Sequence, residues 1–184
     1  MGLGKAKSHQ RCGFAYQQHD VMRNKETLDK MFFEAYEEKK KGNIDSALRI
    51  YNKAALLGDG DSCLNLGHIY DVGDGVEEDK DKALDLYKKA WRISHRPSSC
   101  NNIAIIYLEK GRMNLAIKWW NKAVDLGHGD AALSLAKLLL ESGRRTDVER
   151  AKELLHFAST RKEGLAITPS GKEDAEQLLN ELSR

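Results

Sequence analysis

Few residues in this chain stand at spacings that chemistry needs. Asp71-Val72-Gly73-Asp74-Gly75, followed by Glu77-Glu78-Asp79, is acidic and glycine-rich like a calcium loop. Such a loop takes acids at its first, third and fifth positions, glycine at the sixth and glutamate at the twelfth. Counted from Asp71, the third is Gly73 and the twelfth is Lys82, so the segment reads as a turn between helices. Asp59-Gly60-Asp61 fails in the same way, with Leu64 at the sixth place. Gly171-Lys172-Glu173 lacks the upstream glycine and the Ser/Thr of a phosphate loop. The histidines (His9, His19, His68, His95, His128 and His156) form no metal-binding pair one turn apart with a carboxylate. Cys12, Cys63 and Cys100 show no CxxC or Cys/His ligand spacing and cannot all pair within one chain, which fits reduced thiols in a cytoplasm. No nucleophile and base meet by spacing alone. The expectation is a protein without catalytic residues, metal or cofactor.

Helices must supply whatever surface remains. Of 184 residues, 41% are hydrophobic and 32% charged, enough for a core under a charged exterior. Pro97 and Pro169 are the only prolines and aromatics are scarce, which argues against strands and for an all-α fold. No stretch approaches the roughly 18 apolar residues of a membrane span. The net charge of +2 does not by itself imply nucleic acid. Residues 1–30 hold six Lys or Arg against Asp20, Glu26 and Asp29, so the basic excess is N-terminal. The start lacks the apolar segment of a secretory signal, and Ala6 stands where myristoylation needs Ser or Thr. Residues 1–23 read as a loosely held basic extension, and residues 24–184 as the folded domain.

That domain repeats. ALRIYNKAALLG from Ala47, ALDLYKKAWRIS from Ala83, AIKWWNKAVDLG from Ala116 and AKELLHFASTRK from Ala151 align, with starts 36, 33 and 35 residues apart. In each, alanines seven apart flank a large residue four after the first: Tyr51, Tyr87, Trp120, Leu155. That spacing marks one helix face, and large-against-small packing lets neighbouring helices interlock. A second helix follows in SCLNLGHIY (62–70), SCNNIAIIY (99–107) and AALSLAKLL (131–139), with Cys63, Cys100 and Ala132 in the same small buried slot. Gly67 in mid-helix costs about 1 kcal/mol against Ala, which points to close helix contact. Repeats are expected near 47–82, 83–115, 116–150 and 151–184.

Gly58 and Gly127 are placed to end first helices, Asp61 and Asp130 to cap second ones. Thr146-x-x-Glu149 and Ser170-x-x-Glu173 have capping-box spacing before the fourth and last helices. Residues 28–43 resemble a lone second helix with Phe32, Phe33 and Tyr36 as its apolar face, and 172–184 a polar cap.

Ala47-x-x-x-Tyr51-x-x-Ala54-Ala55-x-x-Gly58, then Leu66-Gly67-x-x-Tyr70-x-x-Gly73-x-Gly75-Val76, resembles the Sel-one-like repeat, a relative of the tetratricopeptide repeat. The second unit keeps Ala83, Tyr87, Ala90 and Tyr107 but has Ser94-His95-Arg96-Pro97 where the glycine belongs. The third keeps Ala116, Trp120, Ala123, Gly127 and Ala136, with Leu139 in place of Tyr; the fourth is degenerate. The resemblance spans about 42–160. It implies a right-handed α/α superhelix, or solenoid, of three to four helix-turn-helix repeats that contacts proteins and catalyses nothing.

In such a solenoid the non-core positions of the first helices are expected to line a concave wall. They are Arg49, Asn52 and Lys53; Asp85, Lys88 and Lys89; Lys118, Asn121 and Lys122. Lys53, Lys89 and Lys122 share one register and would stack at roughly 10 Å into a positive ladder. Trp91 and Trp119 would serve as aromatic anchors. The expected function is a cytoplasmic, non-catalytic scaffold for a protein partner with an acidic surface. Its concrete form is a bacterial immunity protein that blocks a toxin. The alternative is a nucleic-acid binder using the basic N-terminus and the ladder.

Overall fold

The computed structural model describes residues 24–162, 164 and 166–183, and every regular element among them is a helix. The N-terminal extension, with Cys12, His9 and His19, lies outside the described residues. The helices are α1 (24–40), α2 (Ile44–Leu56), α3 (Gly60–Val72), α4 (Lys80–Ser94), α5 (Pro97–Glu109), α6 (Met113–Asp125), α7 (Gly129–Glu141), α8 (Arg145–Ser159) and α9 (Pro169–Glu181). From α2 onward each packs on its neighbours in sequence, most extensively within α3/α4, α5/α6 and α7/α8, and α7 also touches α9. The chain is an α/α solenoid.

Its seam is the expected one. Tyr51, Tyr87 and Leu155 are fully buried and Trp120 nearly so, as are the alanines that flank them. Opposite, on the odd-numbered helices, stands a small residue in one register: Ala35, Gly67, Ala104 and Ala136, all buried. Each large side chain removed from water contributes about 1.5–3 kcal/mol. The buried polar tips are met locally: Trp120 Nε1 donates to Asn101 Oδ1 at 3.1 Å, and the Tyr87 hydroxyl donates to Asp71 Oδ2 at 3.1 Å. The Tyr51 hydroxyl finds no hydrogen-bond partner among the described residues. Cys63 and Cys100 are free and buried, and burial pushes the Cys100 thiol up to about 11.

The ends of the helices differ from expectation in several places. Gly58 and Gly127 do follow α2 and α6 with φ of +93° and +90°. The cap of α3, however, is Asp59, whose carboxylate accepts from Ser62 N at 2.7 Å, while Asp61 pairs with Arg96. The cap of α7 is His128, whose Nδ1 accepts from Ala131 N at 3.2 Å. Asp130 instead accepts from both the backbone N and Oγ1 of Thr168, tying the last helix to α7. Neither capping box forms: α8 starts after Arg144 without a side-chain cap, and α9 after Thr168 with Pro169 in its first turn. On α1, Phe32 is half-buried, but Phe33 and Tyr36 are 64% and 47% exposed. The buried position is Ala35, and the Phe32 ring lies 6.0 Å from that of Tyr51.

Candidate functional site

The wall formed by α2, α4 and α6 carries all the residues expected to bind. Arg49, Asn52, Lys53, Asp85, Lys118 and Lys122 are exposed, while Lys88, Lys89, Asn121, Trp91 and Trp119 are half-buried. Charge divides between the walls. Helices α2, α4 and α6 hold nine Lys or Arg against four Asp. Helices α3, α5 and α7 hold Asp61, Asp71, Glu109, Asp130 and Glu141 against Lys137 alone.

The three lysines of the ladder stand in three different situations. Lys53 makes no ion pair or hydrogen bond with the described residues. Lys89 Nζ donates to Ala55 O at 3.0 Å, at the C-terminal end of α2, where orphan carbonyls and the helix dipole favour a cation. Lys122 Nζ lies 4.3 Å from the ring centre of Trp91 and 4.9 Å from that of Trp119. Those rings meet edge to face at 6.4 Å. Lys89 and Lys122 thus reach back to the residue in the same register of the preceding unit, Ala55 and Trp91. They staple one repeat to the last, so the second and third rungs of the ladder are tethered. The neighbouring positions also have local partners. Asn52 donates to Leu48 O, Asn121 Oδ1 accepts from Arg150 at 2.6 Å, and Lys88 sits over the Tyr107 ring at 5.5 Å. Asp85, Lys88 and Lys89, with Leu86 and Arg92, line an open groove along α4.

Several polar links were not legible from spacing. Lys80 bonds Asp71 at 2.9 Å and Glu109 at 3.1 Å, joining α3, α4 and α5. Burial pulls its ammonium down, but the two carboxylates outweigh that and raise its pKa. Lys82 caps the Tyr70 ring at 3.7 Å. The signal for Lys82 and Tyr70 was the acidic turn between them, which brings α4 back over α3. Leu57, Ile93 and Leu126 form an exposed row ten residues after each leading alanine, a register that the repeat alignment contains but that lies outside its core face. Among the described residues no group of three or more His, Cys, Asp or Glu side chains is placed to hold a metal ion. No helix among them is long and apolar enough to cross a membrane.

A two-walled stack of helical hairpins defines a repeat solenoid. Within that class, the Sel1 repeat model matches residues 35–59, 60–91 and 129–162, and a tetratricopeptide repeat model matches 97–126. The chain is a protein of Sel1-like and tetratricopeptide repeats. The matches pair each odd-numbered helix with the even one that follows, the same helices in the other phase from the units counted at Ala47, Ala83 and Ala116. A Sel1 repeat protein from Oxalobacter formigenes superposes with a TM-score of 0.62 at 25% identity, over 70% of this chain and 54% of that one. The protective antigen c5321 of uropathogenic Escherichia coli strains, which displays an SLR fold, gives 0.63 at 20% identity, over 84% of this chain and 45% of its own. An F-box protein of Arabidopsis thaliana, At1g70590, is 29% identical over 105 residues, which are 56% of this chain and 28% of that protein. The chain spans less than two thirds of the length of each.

Proposed function

We propose that this chain is a non-catalytic scaffold whose α2/α4/α6 wall receives a protein partner with an acidic contact surface. A Sel1-like repeat solenoid supports protein–protein interaction as the general role. The observation that carries the finer reading is the division of charge among the helices: α2, α4 and α6 hold nine basic residues against four acids, of which Lys80 is turned onto Asp71 and Glu109, and α3, α5 and α7 hold the opposite excess. A field of that kind steers an acidic partner and selects its orientation. Trp91 and Trp119, packed at the junction of α4 and α6, supply rigid aromatic area of the kind that dominates binding energy. The buried unpaired thiols Cys63 and Cys100 suit a reducing cytoplasm.

The test separates binding charge from stapling charge. Arg49→Glu, Lys53→Glu and Lys118→Glu change exposed residues that hold no repeat junction. Together they should weaken the complex with the partner at least about tenfold and leave helicity unchanged. Unchanged affinity of the purified complex rejects the reading. Tight binding of an unrelated DNA or RNA duplex, falling steeply with salt, would move the wall to nucleic acid. A narrower form is an immunity protein that neutralises a toxin, which requires a one-to-one complex with that toxin and protection of cells that express it.

A further inference from the structure

Three side chains that the core does not use repeat in step with the lysines. Leu57, Ile93 and Leu126 are 51%, 39% and 47% exposed. Each lies four residues, about one helical turn, beyond Lys53, Lys89 or Lys122, Ile93 within α4 and Leu57 and Leu126 as the C-caps of α2 and α6, so each helix ends with a lysine and an aliphatic residue one turn apart. A lone exposed leucine means nothing. One residue type at one register in three consecutive units is an ordered surface. The lysines bring the helix ends together: Lys89 bonds the end of α2, and Lys122 lies over Trp91 near the end of α4. The pattern stops at the fourth unit. There the two positions hold Phe157 and Arg161, and the guanidinium covers the Phe157 ring at 4.2 Å.

From this register we infer that the C-terminal edge of α2, α4 and α6 is a docking strip for an acidic amphipathic helix of a partner protein. The inference rests on the protein-binding role proposed above and names the partner's chemistry. Lys89 reaching the Ala55 carbonyl and the Trp91–Trp119 ring contact keep the three helix ends side by side, one helix diameter, about 10 Å, apart. Residues seven apart on a helix rise about 10.5 Å. A helix laid across the three ends therefore meets Leu57, Ile93 and Leu126 with apolar residues at every seventh position. Its flank faces the lysine row and matches it with Glu or Asp. Burial of the aliphatic row supplies binding, and the lysines supply steering and register. The basic excess of this wall disfavours the same helix with Lys on its flanks.

The probe is a synthetic helical peptide of about three heptads, with Leu at every seventh residue and Glu on both flanks, labelled for fluorescence anisotropy. The intact chain should bind it saturably. Combining Leu57→Ser, Ile93→Ser and Leu126→Ser should weaken binding at least about tenfold, as should replacing the peptide's Glu by Lys. Circular dichroism checks that the variant keeps its helicity. Met113→Ser removes a side chain equally exposed, at 50%, but at the opposite end of α6, and should bind like the parent. Absence of saturable binding overturns the strip, as does equal binding by the three-residue variant or by the Lys-flanked peptide. If that variant holds an acidic protein partner as tightly as the parent while Arg49→Glu/Lys53→Glu/Lys118→Glu does not, the strip fails and the basic wall stands. If neither variant changes the complex, both fail.

Discussion

Gly67 faces Tyr87 so closely that a β-carbon there would stand 2.6 Å from the ring. Both are fully buried, on the two helices of one hairpin, so neither can give way into solvent. Gly67→Ala gains about 1 kcal/mol in helix propensity. Overpacking a sealed seam costs about 1–3 kcal/mol and here involves a rigid ring. The substitution is expected to destabilise, by about 1–2 kcal/mol in urea unfolding. Adding Tyr87→Leu should recover part of that loss, since in the fourth unit Leu155 fills the register of Tyr87 and Ala136 that of Gly67, both buried in one cluster. A Gly67→Ala protein more stable than the parent would mean the glycine is not there for contact.

Lys122 contributes as a staple, and its removal should show that. A cation over aromatic rings contributes about 0.5–1 kcal/mol at a partly exposed site. Lys122→Met is expected to lose about that much stability, and Lys122→Arg to keep most of it. Lys53→Met, in the same register but without a partner among the described residues, should stay within about 0.5 kcal/mol of the parent. Equal effects at the two positions would show that the ring contacts add nothing.

His128 gives the fold a pH dependence with a definite sign. Its Nδ1 accepts the Ala131 N–H and caps α7, so it must be unprotonated there. Burial lowers its pKa from 6.5, against a smaller upward pull from Asp130. The unfolded chain therefore takes up a proton at a higher pH than the folded one. Stability from this group is complete above about pH 6.5 and falls as the pH drops toward the lowered folded value. His128→Asn keeps a capping oxygen and removes the titration. Denaturation midpoints measured between pH 8 and pH 5 should fall more steeply for the parent than for the variant. Parallel curves would rule His128 out as the cause.

The repeat was legible because its signal is local: an alanine, a large residue and an alanine on one helix face fix which side of α2, α4, α6 and α8 is buried. The buried thiols and the glycines ending α2 and α6 follow from the same alignment. Choices that depend on a distant partner were not legible. Asp61 and Asp59 both suit a cap, and Arg96, 35 residues on in sequence, draws Asp61 away. Asp130 is likewise taken by Thr168. Phe33 and Tyr36 read as core by hydrophobicity, but α1 turns Ala35 and Phe32 to the seam, with the Phe32 ring 6.0 Å from that of Tyr51. The lysine ladder could be counted from the sequence. That Lys89 and Lys122 are tied to the preceding unit could not, because the Ala55 carbonyl and the Trp91 ring come into reach only when the repeats stack.

His95 shows how a unit without its glycine still turns. It stands one residue past the register of Gly58 and Gly127, which Ser94 fills as the last residue of α4, and it adopts φ of +51°, the one non-glycine residue described in the left-handed region. A side chain in that region costs about 1–2 kcal/mol. The imidazole offsets part of this by meeting the Trp91 ring edge-on at 4.9 Å. His95→Gly relieves the strain but loses the ring contact and adds unfolded-state freedom, so it should shift stability by less than about 1 kcal/mol. His95→Val carries a β-branched side chain into the same backbone and loses the ring as well. It should cost about 2 kcal/mol and act first on the α4–α5 corner, where hydrogen exchange of the His95 and Ser99 amides would speed up. If Val were tolerated as well as Gly, the left-handed turn at His95 would not be what holds α5 against α4.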